Sequence, residues 1–441
     1  MSNAKEPTQS SVVDTANTEP IRPLSEFPDL SSFTIQQSYP ALIAPVKQIA
    51  GLRKTLSKVL LRLPRLKNVY PAESDTERIL VLADKEALSD TLVQESLHGG
   101  CRVTEYKVEL SYDYMTTDDI LKKILPVDEV PSSFEAVGHL AHLNLRDDCL
   151  PYKYWIGKVI LDKNQPRVRT VVNKLGSIEN EFRTFGMEVI AGDNSEGWSL
   201  VTVKEEGCVF TLDFREVYWN SRLAGEHKRL VDMIHKEARS MREPLVVADL
   251  MAGVGPFAVP LTAHKNHNVV VYANDLNPSS YKYLKINSEK NKCKDLHCYN
   301  EDGRAFAHRL SREGIKANHV IMNLPAIAPE FLDAFRGYSP NVTTLPRIHV
   351  HCFAPKDSES TNYQCAVDRC GNALGYPLDR KADMVHIRVV RDVSPKKNMI
   401  CVSFQLPEVV CALPAITLID RQQKPPTDDE PEAKRQKSDG L

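Results

Sequence analysis

No single sign of charge dominates this chain. Its 441 residues carry 56 Lys and Arg against 58 Asp and Glu, a formal net charge of −2. That balance excludes a uniformly basic coat, so any contact with a polyanion must come from local patches. Long apolar runs are missing as well. None approaches the roughly 18 residues that a membrane span needs, which argues against a membrane partner. The ten Cys lack zinc spacing. The segments "CKDLHC" (residues 293–298) and "HVHC" (residues 349–352) match no tetrahedral ligand pattern, and both read as lying on or beside buried strands. Unpaired thiols in this number fit a reducing compartment. Internal repeats are also absent. The opening "MSNAKEPTQSSVVDTANTEP" has no apolar stripe and reads as disordered, neither a signal peptide nor a transit peptide. The tail "RQQKPPTDDEPEAKRQKSDGL" reads as disordered too, its "KRQK" as part of a solvated charged tail rather than a nuclear signal.

What is present is the composition of a globular protein, 42% hydrophobic and 26% charged, in a length that suggests two or three domains. From Leu245 onward, strand-like and helix-like pieces alternate. "LVVADLMA", "NVVVYANDL", "LHCYNED", "ANHVIMNLP" and "RIHVHCFAP" read as five strands. "NPSSYKYLKINSEKNK", "GRAFAHRLSREG" and "PEFLDAFRG" read as helices between them, the first capped by Asn277 or Ser279. Such alternation predicts a parallel sheet covered on both faces. "MVHIRVVRDV" and "MICVSFQL" are separated only by "SPKKN", too short for a parallel crossover, so they should pair as an antiparallel hairpin. Residues 356–383 are rich in Asp, Ser, Asn and Gly and read as a long surface insertion. The fold class is thus α/β, a Rossmann-like parallel sheet closed by an antiparallel hairpin, as in class I methyltransferases, preceded by two smaller α/β or β-rich modules. The divisions expected are 1–29 disordered, 30–130 an N-terminal module, 131–215 a β-rich middle module, 216–420 the sheet domain and 421–441 a disordered tail. Within the middle module, "GHLAHLNL", "YKYWIGKVILDKN", "RVRTVVNKLG", "GMEVIAG" and "SLVTVKEEGCVFTLDF" read as strands.

The stretch "VADLMAGVGPFAVP" carries the chemistry. A Gly-rich turn between strand and helix lets backbone approach a ligand closely. "GVGPFA" satisfies the G-x-G-x-x-G/A pattern, and Asp275 lies twenty residues beyond Gly255, where an acid can bind a ribose. The motif alone also permits a nicotinamide cofactor. Asp249, just before the turn, would repel a pyrophosphate but suits the cationic amino and sulfonium groups of S-adenosylmethionine. Asp302-Gly303 closes the third strand, where an acid can bond an adenine amino group. "NLPA", from Asn323, closes the fourth and resembles the Asn/Asp-Pro-Pro motif of amino-methyltransferases. Asp249, Asp275, Asp302 and Asn323 therefore line up along the carboxyl edge of one sheet, where open α/β sheets bind ligands.

"VYWNSRLAGEH", "DLMAGVGPF", "NDLNP", "EDGR", "IMNLPA" and "VSPKKNMICVSFQLP" resemble the archaeal and eukaryotic tRNA (guanine-37 N1)-methyltransferase family. Upstream, "LGSIENEFRTFGMEVIAG" and "VGHLAHLNLRD" resemble its middle domain, so the resemblance runs from about Phe33 to Pro407. It implies methyl transfer from S-adenosylmethionine to N1 of the guanine 3′ of the anticodon, with tRNA as partner, a monomeric enzyme, and no metal. It implies a cytoplasmic and nuclear protein with a mitochondrial matrix pool. Glu226 in "RLAGEH" would be the general base. Tyr218 and Arg222, in the same motif, would contact substrate. Asn323 would hold the base edge and touch the cofactor. Arg183 in "NEFRTF" would offset charge on guanine O6. His227 would meet the carboxylate end of the cofactor. Gly253, Gly255, Asp275, Leu276, Asp302 and Gly303, with Asp249, would complete the cofactor site. Ser221 stands where many members have Pro. Guanine N1 must lose its proton to attack a methyl group, which is the work of a carboxylate in reach. The target base must also be turned out of its stack. Phosphate contacts from basic segments such as "GLRKTLSKVLLRLPRLK" would hold the tRNA body. A relative of the same fold that transfers the aminocarboxypropyl arm of the same cofactor is the alternative; neither the "RLAGEH" Glu nor "NLPA" is expected there.

Overall fold

The Val- and Ile-rich runs after Leu245 become the middle of one seven-stranded sheet, and everything that positions the site follows from where those runs end. The structure is a computed structural model that describes residues 26–63, 65–128, 130–176, 186–263, 268–338 and 345–415. The expected disordered termini and Arg183 lie outside these residues. The described residues form two compact units: one up to Leu175 with Met187–Trp198, the other from Ser199 with Gly176 and Gly186.

In the first unit, β1 (Ile35–Pro45), α1 (Ile49–Thr55), β2 (Val69–Pro71), β3 (Glu77–Val81), α2 (Thr91–His98) and β4 (Arg102–Leu110) build an antiparallel sheet in the order β2-β3-β1-β4. Its core gathers Leu42, Leu56, Leu80, Leu82 and Val93. The basic segment formed by α1 and the turns after it buries Leu56, Leu60 and Leu61 and leaves Arg53, Lys54, Lys58 and Arg62 exposed. Then come α3 (Thr117–Ile124), β5 (Glu135–Val137), β6 (Leu140–Leu143), α4 (Lys153–Asn164), β7 (Thr170–Leu175) and β8 (Gly186–Gly192), the strands in the order β5-β6-β7-β8. "YKYWIGKVILDKN", expected as a strand, is α4. Ile156, Val159 and Ile160 are its buried face, the three-and-four spacing of a helix, which the run of β-branched residues disguises. Gly157 lets α4 press on β8, since a Cβ there would stand 2.8 Å from the Ile190 carbonyl oxygen.

In the second unit, the hairpin of β9 (Leu200–Glu205) and β10 (Cys208–Asp213) precedes α5 (Ala224–Ala238), β11 (Leu245–Asp249), α6 (Ala258–Ala263), β12 (Val269–Asn274), α7 (Pro278–Lys290), β13 (Leu296–Tyr299), α8 (Gly303–Arg312) and β14 (His319–Asn323). A 3-10 helix (Ala328–Phe335) stands where an α-helix was expected. β15 (Arg347–Pro355), α9 (Gln364–Leu374), β16 (His386–Ser394), β17 (Lys397–Gln405) and α10 (Glu408–Ala412) complete it. The sheet order is β13-β12-β11-β14-β15-β17-β16. Neighbours from β13 to β15 pair in parallel, and β17 runs antiparallel between β15 and β16. The parallel sheet and closing hairpin are those expected. The surface insertion is not: α9 buries Ala366, Val367, Cys370, Gly371 and Leu374 in the core under the sheet. Its helical stripe is hidden by an average composition that is polar. No helix among the described residues is long and apolar enough to cross a membrane.

The β9–β10 hairpin, read from sequence as part of the middle module, is bonded to α7. Thr211 N donates to Asn287 Oδ1 at 2.7 Å and Val209 N to Asn291 Oδ1 at 2.8 Å. Asn287 is fully buried, and its Nδ2 also donates to the Val254 carbonyl in the Gly turn. One carboxamide therefore ties hairpin, helix and turn. We predict that Asn287→Ala costs roughly 1–3 kcal/mol for each polar group it leaves unmet. Thermal unfolding of the full chain checks this; a melting temperature unchanged within a degree would contradict the tie.

Candidate functional site

Parallel strands all end on the same side, so short loops from the ends of β11, β12, β13 and β14 converge there. Each ends in a residue that organises its loop. Asn274, the last of β12, is fully buried. Its Nδ2 donates to the carbonyls of Leu250 and Glu301, and its Oδ1 accepts from Glu301 N. Asp275 follows, its carboxylate accepting from Gly253 N (2.8 Å) and Asn277 N (3.0 Å). Burial raises its pKa against those bonds. Asn277 caps α7 by accepting from Ser279 N, as its place in the sequence predicted, and Asp302 caps α8 by accepting from Arg304 N and Ala305 N.

These loops enclose a cavity of about 550 Å³, the size of a pocket for a nucleoside-bearing ligand. Of the residues singled out from sequence, Tyr218, His227, Gly253, Asp275, Leu276, Asp302, Gly303 and Asn323 line it. Asp249, Gly255, Arg222 and Glu226 do not. The two glycines of the turn divide the labour. Gly253 (φ 56°) has open space where a Cβ would be, and its N–H is held by Asp275. Gly255 (φ 96°) is a packing residue, since a Cβ there would lie 2.7 Å from both Val259 and Leu284 side chains. It supports the turn and is not among the residues that line the cavity. Arg222 is exposed on the 3-10 turn before α5, its N–H donating to Asn220 Oδ1. Ser221 accepts from the Trp219 indole at 3.1 Å, a contact that Pro could not make.

Two buried carboxyl groups sit in opposite electrostatic settings. Asp249 is wholly buried behind Leu250 and Met251 of the wall. Its Oδ1 has only a long bond from Met251 N (3.4 Å), and its Oδ2 has no partner. Burial, reinforced by the nearby Asp275 charge, pushes it up to about 7. Glu226 is also buried, but Arg229 grips it with two bonds (2.6 and 2.7 Å), His351 Nε2 with a third (2.9 Å), and Arg388 Nε lies at 3.6 Å. Burial alone would raise it; the bonds and charges of Arg229 and His351 hold it down at about 2. It is an anion at every working pH. Next to it, His227 sets its Nδ1 2.5 Å from Glu205 Oε1, with both side chains buried, and its ring meets Phe257 edge-on at 4.8 Å.

"HVHC" lies on buried strand β15, as expected. His349 bonds His319 (3.0 Å) and Ser403 (2.8 Å). His351, however, brings a ligand atom within 4.8 Å of others from Glu226 and Cys401. The donor set would suit a soft cation, but Arg229 and Arg388 place two positive charges beside it, which opposes one. Sequence reasoning missed several wall residues. Phe353, Arg391 and Met399 come from β15–β17, and Phe331 and Arg304 form one wall, the guanidinium 4.0 Å over the ring. Arg304 and Met399 lie within "EDGR" and "VSPKKNMICVSFQLP", where the resemblance gives them no role; Phe353 and Arg391 reach the wall through the sheet order, and Phe331 from the 3-10 helix after β14.

The open polar atoms test what could be held. Asn323 Oδ1 is buried and unpartnered on β14's end, and Asp275 is an anchored acceptor on the wall. With a buried carboxyl poised near neutrality behind the wall, this set fits a cationic ligand bearing hydroxyl groups, as S-adenosylmethionine does.

Comparisons with known proteins agree with that chemistry. A model of the TRM5/TYW2 methyltransferase domain matches residues 201–367, and one of the TYW2 N-terminal domain matches 117–195. A protein of Phaeodactylum tricornutum named tRNA (guanine(37)-N(1))-methyltransferase 1 is 59% identical over 98% of this chain and 99% of its own. A tRNA (guanine(37)-N(1))-methyltransferase of Phytophthora infestans is 43% identical, over 82% and 88%. The crystal structure of Trm5b from Pyrococcus abyssi superposes with a TM-score of 0.59 at 25% identity, covering 83% of this chain and 99% of that one. With identity of that level along nearly its whole length, the chain belongs to the tRNA (guanine(37)-N(1))-methyltransferase family.

Proposed function

We propose that this protein methylates N1 of guanosine 37 in tRNA, with S-adenosylmethionine as methyl donor. The observation that carries the reading is the near full-length identity to relatives named for that reaction, in a chain whose strand-end cavity suits such a donor. Transfer of the aminocarboxypropyl arm instead finds less support: "RLAGEH" and "NLPA" are both present, and the relatives described above are named for methylation. Mass spectrometry of tRNA nucleosides after incubation with labelled donor decides between them. N1-methylguanosine is expected; an aminocarboxypropyl adduct would replace the reading.

When bound, the donor supplies an electrophilic methyl group on a cationic sulfur. Asp275 and Leu276, Gly253, Asp302 and Gly303, His227 and Asn323 are the residues to hold it. Asp249 attracts its cationic end through the wall rather than by contact. Asn323 Oδ1, an acceptor without a partner, suits an N–H on the guanine edge and would fix the line of attack. Glu226 takes the N1 proton. It is present as the anion that accepts, but it must exchange a cationic partner for the guanine edge, because it does not line the cavity. Arg183 would offset charge on O6. Tyr218, on the cavity wall, and the exposed Arg222, four residues on, would contact the substrate. The exposed cations in and just after α1 support a tRNA-binding role for residues 30–130, and the catalytic domain takes in the β9–β10 hairpin and so begins near Ser199 rather than at 216. Family resemblance supports a monomer working in cytoplasm and nucleus, with a matrix pool and without a metal.

Two predictions follow from the carboxyl groups. Asp249 is raised from 3.8 to about 7, so its burial contributes stability below pH 3.8 that is lost as pH rises through about 7. A cationic donor favours its ionised form. Donor affinity by calorimetry should therefore tighten as pH rises through about 7, by roughly two- to tenfold at this range of interaction, and Asp249→Asn should flatten the curve. A pH-independent affinity in the unaltered protein would exclude this role. NADH should not compete. Glu226→Gln keeps the side chain's size but cannot accept the proton. Single-turnover methyl transfer should fall by about 10²–10⁴, with donor affinity close to unchanged. A near-normal rate would leave Glu226 as a buried counter-ion only.

A further inference from the structure

The outer edge of the sheet carries a concentration of positive charge in a chain that is otherwise balanced. Between residues 386 and 397, "HIRVVRDVSPKK" holds Arg388, Arg391, Lys396 and Lys397 against one acid, Asp392. Strand β16 pairs on one side only, with β17, so its other side faces outward. The residues from Asp392 to Lys397 are exposed, and Arg388 is about half exposed. Asp392 is paired with Lys356 at 3.2 Å, so it cancels a cation from outside the strip.

The strip runs up to the cavity. Arg391 and Val393 are part of the cavity wall. Lys397 Nζ lies 5.4 Å over the ring of Phe353, itself a wall residue. Regular alternation would send Arg388 and Arg391 to opposite faces of the strand. The ladder slips between Val389 and Arg391, and again between Asp392 and Ser394. Such bulges re-aim side chains and are frequent beside active sites. Here they accompany an Arg388 that reaches toward Glu226 and an Arg391 that reaches the cavity.

We propose that this edge, Arg388 to Lys397, is a track for the sugar-phosphate backbone of the single-stranded loop that flanks the target nucleotide. The proposal rests on the reading of the protein as a tRNA methyltransferase and adds the surface by which the catalytic unit grips RNA. Backbone phosphates are what a row of flexible cations binds without base code, and a base can enter a pocket only if the chain on either side of it is held. Cations on an edge strand have another use, to keep edges from pairing with other chains, and the experiment must separate the two.

The test uses the full-length chain with unmodified tRNA transcript. Apparent tRNA affinity is measured from 0.05 to 0.3 M salt for Lys396→Ala, Lys397→Ala, the double variant, and Arg312→Glu at the far end of α8 as a control. Donor affinity and single-turnover rate at saturating tRNA are measured alongside. If the track is real, each Lys→Ala lowers the slope of log affinity against log salt by about 0.7, and the double variant weakens tRNA binding about tenfold at 0.15 M salt. Donor affinity stays within twofold, and Arg312→Glu does not reproduce the change in slope. Unchanged slopes and affinities, with more aggregation by light scattering, would assign the cations to edge protection and overturn the proposal. Should the double variant fail to fold, the exposed Lys396→Ala alone gives the same reading through its slope. Failure of the wider reading looks different: the unaltered protein would then form no N1-methylguanosine.

Discussion

The side chain of Asn274 holds the carboxyl edge of the sheet together. Fully buried at the end of β12, it bonds the chain after β11 at Leu250 and the chain after β13 at Glu301, the latter through both N–H and C=O. The backbone carbonyl of Asn274 accepts from Ala252 N. The loops after β11 and β13 are thus both referenced to one residue of β12, and the placement of Asp275, Gly253 and Asp302 follows. An apolar residue there would strand several backbone groups in a place water does not reach, each at a cost comparable to a lost hydrogen bond or more. The flexible part of the turn is small as a result. Gly255 is packed against α6 and α7, and Gly253 alone has space in front of it.

Around that frame, the two buried carboxyl groups are set to behave differently. Asp249 has almost no partners, so its charge state is decided near neutrality and responds to whatever cation arrives. Glu226 is saturated with partners, so its charge is constant and its cost of burial is offset by Arg229 and His351. Pairs of titratable groups pushed apart by their surroundings are a common mark of sites that bind and transfer charge.

The parallel sheet was legible because its signal is local. Short Val-rich runs bounded by turn residues can hardly be anything but buried strands, and a five-residue link forces a hairpin. The acids at strand ends were legible for the same reason: a strand's end and the residue that follows it are neighbours in sequence. α4 and α9 were not. In α4, β-branched residues outweighed a helical spacing; in α9, polar composition concealed one. The site was legible only where its residues lie on the loops themselves. Nothing near Glu226 in sequence announces His351 or Arg388, which reach it from β15 and β16, and the difference between Gly253 and Gly255 lies in Val259 and Leu284 rather than in the motif.

Glu226 shows what such distant partners change. In the sequence Lys228 and Arg229 are both basic neighbours of Glu226, and nothing local tells them apart. In the fold, Arg229 turns inward to it and Lys228 pairs instead with Glu206 and Asp232. Against its burial, Cys401 and Glu226 push His351 up to about 10, so three cations hold the carboxylate, a poor proton acceptor until one is drawn off. Arg229 is bidentate, and His351 is fully buried, so neither leaves easily. Arg388 is the most distant of the three and the most exposed. It is also the inner end of the basic edge proposed to bind RNA. Phosphates on that edge would compete with Glu226 for Arg388, and success would raise the basicity of the carboxylate only when RNA is in place. If the edge binds RNA and Glu226 is the base, the two roles are joined through one guanidinium, and RNA binding would come before proton transfer.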